Sequence, residues 1–518
     1  MRVLDNTMSL CPTCLKHIPA KIFEEDNKVW MEKECKEHGK IKDLYWGDYE
    51  LYERAKSFAS DGKNIENPNV KFDGKNCPFE CGLCSRHKSH TCLANIVVTN
   101  RCNLKCWYCF FYCKDVNKVY EPSMEQLREM VRTLRAQKPI ANNAVQLTGG
   151  EPLLRPDIIE VIKMIKAEGI EHLQLNTSGI VFIEKPGLAK KCKTAGINTV
   201  YLSFDGTSKK TNQKNHWEIK KILNECHKAG LGVVLVPTII KTINDQDIYN
   251  IIKFAFDNVK VVRGVNFQPV SLVGLMPRKE REKQRITVPD VIINLEKQSK
   301  GKISRNSFYP VPSVSSITHL VEALSGKPQY ELSSHFACGM ATYVFKEKDK
   351  LIPITEFVDV DAFFNYTDKI AKEINHSKLD FQKKLKLLLN LKRFVNDKKK
   401  PKHLNLVNIL YNILTRKNYS ALGALHHNSL FIGIMHFQDL YNYDVKRVER
   451  CTIHYAVPGK KVLPFCAFNV LPEFYREKTQ AEHYISMEEL KKRYGVEIKD
   501  YNYKRSPETI KNSPESWV

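Results

Sequence analysis

Cys102, Cys106 and Cys109 stand in TNRCNLKCWYCFF as a CxxxCxxC motif. Three thiolates so spaced hold three irons of a 4Fe–4S cluster and leave the fourth iron open to a small chelating ligand. Zinc fits such a loop poorly, because its structural sites take four tetrahedral ligands in paired knuckles. Knuckles of that kind occur near the N-terminus, where CPTC and ECKEHG supply Cys11, Cys14, Cys35 and His38. That set suits tetrahedral zinc or a rubredoxin-like mononuclear iron. A third group, Cys77, Cys81, Cys84 and Cys92 in CPFECGLCSRHKSHTC, can close a 4Fe–4S cluster with no open iron, or hold zinc. Farther along, FACGM, RCTIHY and PFCAFN carry Cys338, Cys451 and Cys466, each of which taken alone reads as a buried thiol.

Positioning these residues falls to an α/β core. Between Ala94 and Val270 the short runs ANIVVTN, AVQLTGG, HLQLNTSG, NTVYLSFDG, LGVVLVPTII and VRGVNFQPV alternate with amphipathic stretches. One of these, PSMEQLREMVRTLRAQ, opens with Ser123 and Gln126 as a capping box. Six strand-and-helix units predict a parallel sheet, open or closed into a partial (β/α)6 barrel, with ligands gathered at the carboxyl ends of its strands. The chain then divides into a rubredoxin- or zinc-ribbon-like metal lobe over 1–60, an auxiliary iron–sulfur segment over 61–93, the barrel over 94–275, and a helical, basic and cysteine-bearing domain over 276–518. Cys192 and Cys226 fall on barrel helices and read as core. Of the two longest apolar runs, Leu231 to Ile240 and Leu430 to Met435, neither reaches bilayer length, and both fit buried strands or core helix.

Some forty residues beyond the CxxxCxxC, LTGGEP places Gly149, Gly150 and Glu151 at the end of the second strand, where adjacent glycines let backbone approach a ligand closely. The pair of motifs closely resembles the radical S-adenosylmethionine (SAM) superfamily. That resemblance implies that SAM occupies the open iron and that the GGEP loop holds its amino group. It also implies that Asn176, Ser203 with Asp205, and Gln268 face its methionine carboxylate, ribose and sugar hydroxyls, with Tyr108 at the adenine. Cys338, Cys451 and Cys466 resemble auxiliary-cluster segments found after such barrels. They imply a third cluster whose fourth ligand is Cys113, His454 or a non-protein group.

CPTC, CPFECGLC, NRCNLKCWYCFFY, VQLTGGEPLLRPD, LQLNTSG, MHFQDLYNYD, RCTIHYAVPGKKVLPFC and NVLPEFYREK together resemble the archaeal tetraether lipid synthase family of radical SAM enzymes, which makes macrocyclic archaeol and membrane-spanning tetraether lipids. The resemblance implies coupling of the terminal carbons of two phytanyl chains after hydrogen abstraction by a 5′-deoxyadenosyl radical, on an archaeal diether lipid, with an electron donor such as ferredoxin. It implies SAM, three 4Fe–4S clusters and one mononuclear iron or zinc. Proteins of this kind are also described as methylases of a pterin precursor, which is the second reading.

Lys plus Arg exceed Asp plus Glu by 81 to 58, a balance of +23 that attracts polyanions. Between Lys378 and Lys417, 12 basic residues face 2 acidic ones at helix-like apolar spacing. That section is either a pair of ordinary helices or a surface for anionic headgroups. A non-catalytic iron–sulfur or zinc protein binding nucleic acid is the third reading, against which GGEP and the absence of any nucleic-acid module count. Eleven of sixteen cysteines cluster before residue 114 with no secretory apolar stretch ahead of them, predicting a cytoplasmic protein with reduced thiols, peripheral at most to a membrane.

Overall fold

The computed structural model describes residues 2–70, 77–112, 118–348, 350–374, 390–402, 404, 429–495 and 502–518. Four antiparallel strands, β1 (Arg2–Leu10), β2 (His17–Glu25), β3 (Lys28–Cys35) and β4 (Gly39–Trp46), form an N-terminal sheet in sequence order. Their turns place CPTC and ECKEHG side by side. On β3 the inward positions are Val29, Met31, Lys33 and Cys35, an alternation typical of a half-buried strand except for its lysine. Lys33 Nζ donates to Ser9 Oγ at 2.9 Å and to the Leu440 carbonyl at 2.7 Å, so its charge is spent on docking the sheet.

The six expected core runs all form strands: β5 (Leu93–Thr99), β6 (Ala144–Gly149), β7 (His172–Thr177), β8 (Thr199–Ser203), β9 (Gly232–Val236) with the short β10 (Thr238–Ile239), and β11 (Val262–Pro269). All six pair in parallel in the order β5, β6, β7, β8, β9, β11. Between β5 and β6 lies the helix Met124–Arg135, started by the Ser123–Gln126 capping box, with Gln126 N–H donating to Ser123 Oγ at 3.2 Å and Ser123 N–H to Gln126 Oε1 at 2.8 Å. Its buried residues Leu127, Met130, Val131 and Leu134 follow helical spacing. Cys192 and Cys226 are fully buried on core helices.

The sheet continues past residue 275. After β12 (Tyr309–Pro310), β13 (Gly339–Glu347) and β14 (Lys350–Pro353), the apolar run SLFIGIM becomes β15 (Ser429–Met435) and pairs in parallel with β11. At the other edge β16 (Ile453–Val457) pairs in parallel with β5 and carries β17 (Lys461–Pro464) as an antiparallel hairpin partner. Among the described residues the parallel run therefore extends the six expected strands to eight, and strands from both sides of residue 275 share one sheet. β15 escapes a reading of strand-helix alternation because it is far in sequence from β11, beside which it pairs, and β16 because it pairs with β5 at the opposite edge of the parallel run from β15.

Much of the basic section between Lys378 and Lys417 lies outside the described residues, as does Cys113. In its described part Leu391 and Leu404 are buried, Val395 and Leu404 pack with Phe345, Ile352 and Phe357, and the Phe394 ring lies 5.3 Å from that of Tyr366. These apolar residues face protein. No helix among the described residues is long and apolar enough to cross a membrane.

Candidate active site

The loop after β5 carries the CxxxCxxC motif, and buried ion pairs fix its base. Arg101 Nε donates to Glu121 at 2.5 Å and its Nη2 to the Leu154 carbonyl at 3.1 Å. Arg155, fully buried, spans from Asp157 to the carbonyls of Val98 and Pro122 at 3.0 and 2.8 Å. The GGEP loop lies directly against this base. A Cβ on Gly149, at φ +134°, would sit 2.0 Å from the Thr99 carbonyl oxygen, and one on Gly150 would sit 2.1 Å from that of Arg101. Gly150 N–H donates to Thr99 O at 2.9 Å and Glu151 N–H to Arg101 O at 2.7 Å. Both glycines thus let one loop backbone approach the other closely.

The Glu151 side chain is likewise turned toward protein. Its Oε1 accepts from Thr177 Oγ1 at 2.7 Å, and its Oε2 accepts from the Ser178 N–H and hydroxyl at 2.9 and 2.8 Å. Burial pushes its carboxyl pKa up while these donors oppose the shift, and both oxygens are engaged within the protein. It latches the ends of β6 and β7. Glu151→Ala is expected to strand those donors, costing about 2–3 kcal/mol and weakening SAM binding through a displaced turn. Glu151→Gln, which keeps one acceptor, should lose less; thermal melts and equilibrium dialysis of SAM test the ranking.

Tyr108, expected at an adenine, has its hydroxyl bonded to Asp205. Asp205, buried after β8, also takes the Thr238 N–H at 2.9 Å and the Lys214 ammonium at 3.1 Å. Lys214 Nζ lies 5.0 Å from the centre of the Tyr108 ring. Burial lowers the Lys214 pKa, but Asp205 and Tyr108 outweigh it and hold the ammonium well above its ordinary value. Nothing in the polar run TSKKTNQKNHW distinguishes Lys214 from its lysine neighbours, so sequence reasoning missed it. Asn176, Ser203 and Gln268 are half-buried at the carboxyl ends of β7, β8 and β11. Asn176 Nδ2 donates to Thr148 Oγ1 at 3.4 Å, the Ser203 carbonyl accepts from Asn215 at 2.8 Å, and the Gln268 N–H donates to Pro237 O at 2.8 Å.

The three loop thiols share one environment. Although Cys102 is exposed as a residue, protein crowding its sulfur pushes the thiol up to about 12, with Glu151, Cys106 and Cys109 adding to the effect. Burial pushes Cys106 up to about 11 against the pull of Lys214, and raises Cys109 as well. Thiols so placed ionise when a metal replaces their protons.

Of the second cysteine group, Cys77 and Cys81 are hydrogen-bonded to each other and Cys84 lies near enough to act on Cys81. Cys81 is pushed well up, first by its hydrogen bond with Cys77 and then by burial, with Cys84 contributing. Cys92 does not join them: its Sγ lies 3.1 Å from the Glu331 carbonyl and 3.6 Å from His90 Nε2, just before β5 at the amino end of the barrel. The proximity of the four cysteines in sequence is overridden here by β5, which begins at Leu93 directly after Cys92.

Cys338 and Cys466 lie near Arg447 although far apart in sequence, and Cys451, whose thiol donates to the Ile453 carbonyl at 2.9 Å, lies near both cysteines. Burial raises the Cys451 thiol, and Cys466 and Cys338 raise it further; Arg447 opposes the shift at Cys466 and hydrogen-bonds Cys338. His454 points elsewhere, its Nε2 3.4 Å from His87 Nε2.

In the N-terminal sheet the ligand atoms of Cys11, Cys14, Cys35 and His38 lie within 4.8 Å of one another. Cys14 and Cys35 sulfurs are 3.8 Å apart, and His38 Nδ1 is 3.6 and 3.5 Å from those of Cys11 and Cys35. Zinc–sulfur bonds of about 2.3 Å at tetrahedral angles give S···S edges of about 3.8 Å, so this donor set fits a four-coordinate ion.

Residues 96–255 match the model of the radical SAM superfamily, and residues 3–47 match that of the HMPTM N-terminal zinc ribbon domain. The chain is 46% identical over 500 residues to a 7,8-dihydro-6-hydroxymethylpterin dimethyltransferase of Methanocaldococcus jannaschii, covering 95% of this chain and 97% of that one. A GTP 3′,8-cyclase of Aquifex aeolicus is 30% identical over 225 residues, which is 42% of this chain and 66% of its own. Among solved structures, Streptococcus suis SuiB aligns over 41% of this chain and 46% of its own, at 16% identity and a TM-score of 0.34. The superfamily implies SAM and a 4Fe–4S cluster, and the ribbon a mononuclear metal site.

The dimethyltransferase overturns the expectation of phytanyl chain coupling. The motifs behind that expectation are cysteine loops and strand-end turns, which specify the radical chemistry and leave the substrate open. No lipid or membrane role follows from the described part of the basic section either, since its apolar residues are packed inward.

Proposed function

The chain belongs to the radical SAM superfamily, in the family of the Methanocaldococcus jannaschii dimethyltransferase, and we propose that it methylates a reduced hydroxymethylpterin. The observation that carries this reading is 46% identity over nearly the whole of both chains. When bound, SAM and its cluster supply a 5′-deoxyadenosyl group able to take hydrogen from a substrate carbon. The protein's part is to hold, orient and shield. In this reading Cys102, Cys106 and Cys109 hold the cluster. Gly149 and Gly150 shape the turn beside it, while Tyr108, Asn176, Ser203, Asp205 and Gln268 supply polar groups toward SAM. Lys214 adds a buried cation that favours ionised Cys106. Cys77, Cys81 and Cys84, and separately Cys338, Cys451 and Cys466, hold two auxiliary clusters; Cys11, Cys14, Cys35 and His38 hold the mononuclear ion. A low-potential protein of the ferredoxin class donates electrons.

Reconstituted anaerobically, the protein is expected to hold more iron than one cluster accounts for, about twelve atoms per chain with both auxiliary sets filled. Iron and sulfide counts matching a single cluster would remove the auxiliary assignment. Incubated with SAM, a strong reductant and 7,8-dihydro-6-hydroxymethylpterin, the holoenzyme should yield 5′-deoxyadenosine together with a pterin bearing one or two added methyl groups by mass spectrometry. Labelled SAM methyl identifies the methyl source. Deoxyadenosine that stays at the substrate-free level, with unmodified pterin, would overturn the proposal.

A further inference from the structure

Arg476, at the start of the helix Arg476–Glu482, is 1% exposed and half-used. Its Nη1 donates to the Phe110 carbonyl, one residue beyond Cys109. The guanidinium lies over the rings of Phe111 and Tyr112, 5.4 and 5.2 Å from their centres. Nε and Nη2 are buried and hydrogen-bond to nothing among the described residues. The nearest carboxylate, Glu477, is 3.7 Å from Nη2, beyond hydrogen-bonding reach. Burying donors of a charged group without acceptors is costly, so the site is built for a partner.

The two idle donors are adjacent. Nε–H and the Nη2–H beside it run parallel in the guanidinium plane and form its side-on fork, whose natural ligand is a pair of acceptors on one rigid group. On base edges arginine makes this contact to a ring nitrogen and the neighbouring carbonyl oxygen, as with N7 and O6 of guanine. A 7,8-dihydropterin presents the same pair as N5 and O4, on the edge adjacent to its substituted C6. Resting on the function proposed above, we infer that Arg476 is a substrate-binding residue whose Nε/Nη2 fork takes the N5/O4 edge of the pterin, beside the Cys109 loop.

The test uses reconstituted holoenzyme under anaerobic conditions, measuring binding of 7,8-dihydro-6-hydroxymethylpterin and its 5-deaza analogue, which has C–H in place of the N5 acceptor. The parent should bind the 5-deaza compound about tenfold more weakly. Arg476→Ala and Arg476→Lys should each weaken dihydropterin binding about ten- to a hundredfold and no longer distinguish the two compounds, the lysine failing because a point charge cannot fork. The SAM dissociation constant and iron content should change less than twofold. A purely structural role would lower affinity for both compounds equally and keep the discrimination. An equal 5-deaza penalty in parent and Arg476→Lys overturns the inference, as does parallel loss of SAM affinity, which would assign the fork to the methionine carboxylate. If Arg476→Ala fails to fold, the lysine variant and the parent's own discrimination decide. Parent protein that binds no dihydropterin defeats the proposed function itself, whereas binding that ignores Arg476 defeats only this assignment.

Discussion

Replacing Cys102, Cys106 and Cys109 together by alanine is expected to reduce 5′-deoxyadenosine formation to background, a loss of about a thousandfold or more, because in the proposed reading these thiols hold the cluster that cleaves SAM. Iron should fall by about four atoms per chain while the N-terminal ion is retained, since its four donors lie in a separate antiparallel sheet. Stability should change little. The loop's anchorage rests on Arg101, Glu121 and Arg155, none of which bonds the thiols. Single substitutions should be nearly as damaging to turnover, because two thiolates cannot hold the cluster with one iron open. Chromatography of the reaction after reduction measures the outcome. Deoxyadenosine at parental level in the triple variant would mean that the SAM-cleaving cluster lies elsewhere, the cysteines around Arg447 being the alternative location.

How much of this site was legible depends on how local each signal is. Six core strands and the Ser123 cap follow from short apolar runs and a four-residue pattern, and each is where the sequence places it. CPTC and ECKEHG meet because two turns of one small sheet face each other. Local spacing fails at Cys92. It follows Cys84 by eight residues, within easy chain reach, but β5 begins at the next residue and pulls it to the opposite end of the barrel. β15 and β16 were illegible as barrel strands for the converse reason, since adjacency in a sheet does not require adjacency in sequence. Charged residues buried by tertiary contact are the hardest class. Lys214, Arg447 and Arg476 each have other Lys or Arg within a few residues, and only the fold distinguishes the buried cation that touches Asp205, or a cysteine group, from its less buried neighbours.

Arg285→Ala is expected to cost about 3–5 kcal/mol, the usual penalty for removing one member of a buried ion network. Arg285 joins three parts of the chain: Asp439 at 2.5 Å, Asp43 on β4 at 3.1 Å, and, through Asp439, the Leu272 N–H that follows β11. All three charged side chains are nearly solvent-free. Tyr45 and Thr7 bond Asp444 at 2.8 and 2.6 Å beside them, so the metal-bearing sheet is clamped to the loop preceding Arg447 and Cys451. Without the arginine Asp439 remains buried with no ion partner, while Asp43 keeps Arg281 at 3.2 Å. The metal sheet should then loosen from this loop, visible as a lower melting temperature, faster release of the N-terminal ion to a chelator, and weakened assembly of the Cys338, Cys451 and Cys466 group. The pH dependence has a definite sign. Burial alone would raise the Asp439 carboxyl, but Arg285 outweighs it and holds the pKa well below its ordinary value. Its contribution to stability is therefore complete above the unfolded carboxylate value of about 3.9 and is lost as the pH falls below it. Lys33 acts on the other side of neutrality. Burial lowers its pKa to about 8, so the cost of keeping it charged is relieved as pH rises from 8 toward its unfolded value. In the parent the melting temperature should decline on acidification through the carboxylate range, and Arg285→Ala should flatten that limb, because Asp439 then loses the partner that kept it ionised. A variant that melts with the parent, or that keeps the parent's acid limb, would show that the sheet is held by its apolar face alone.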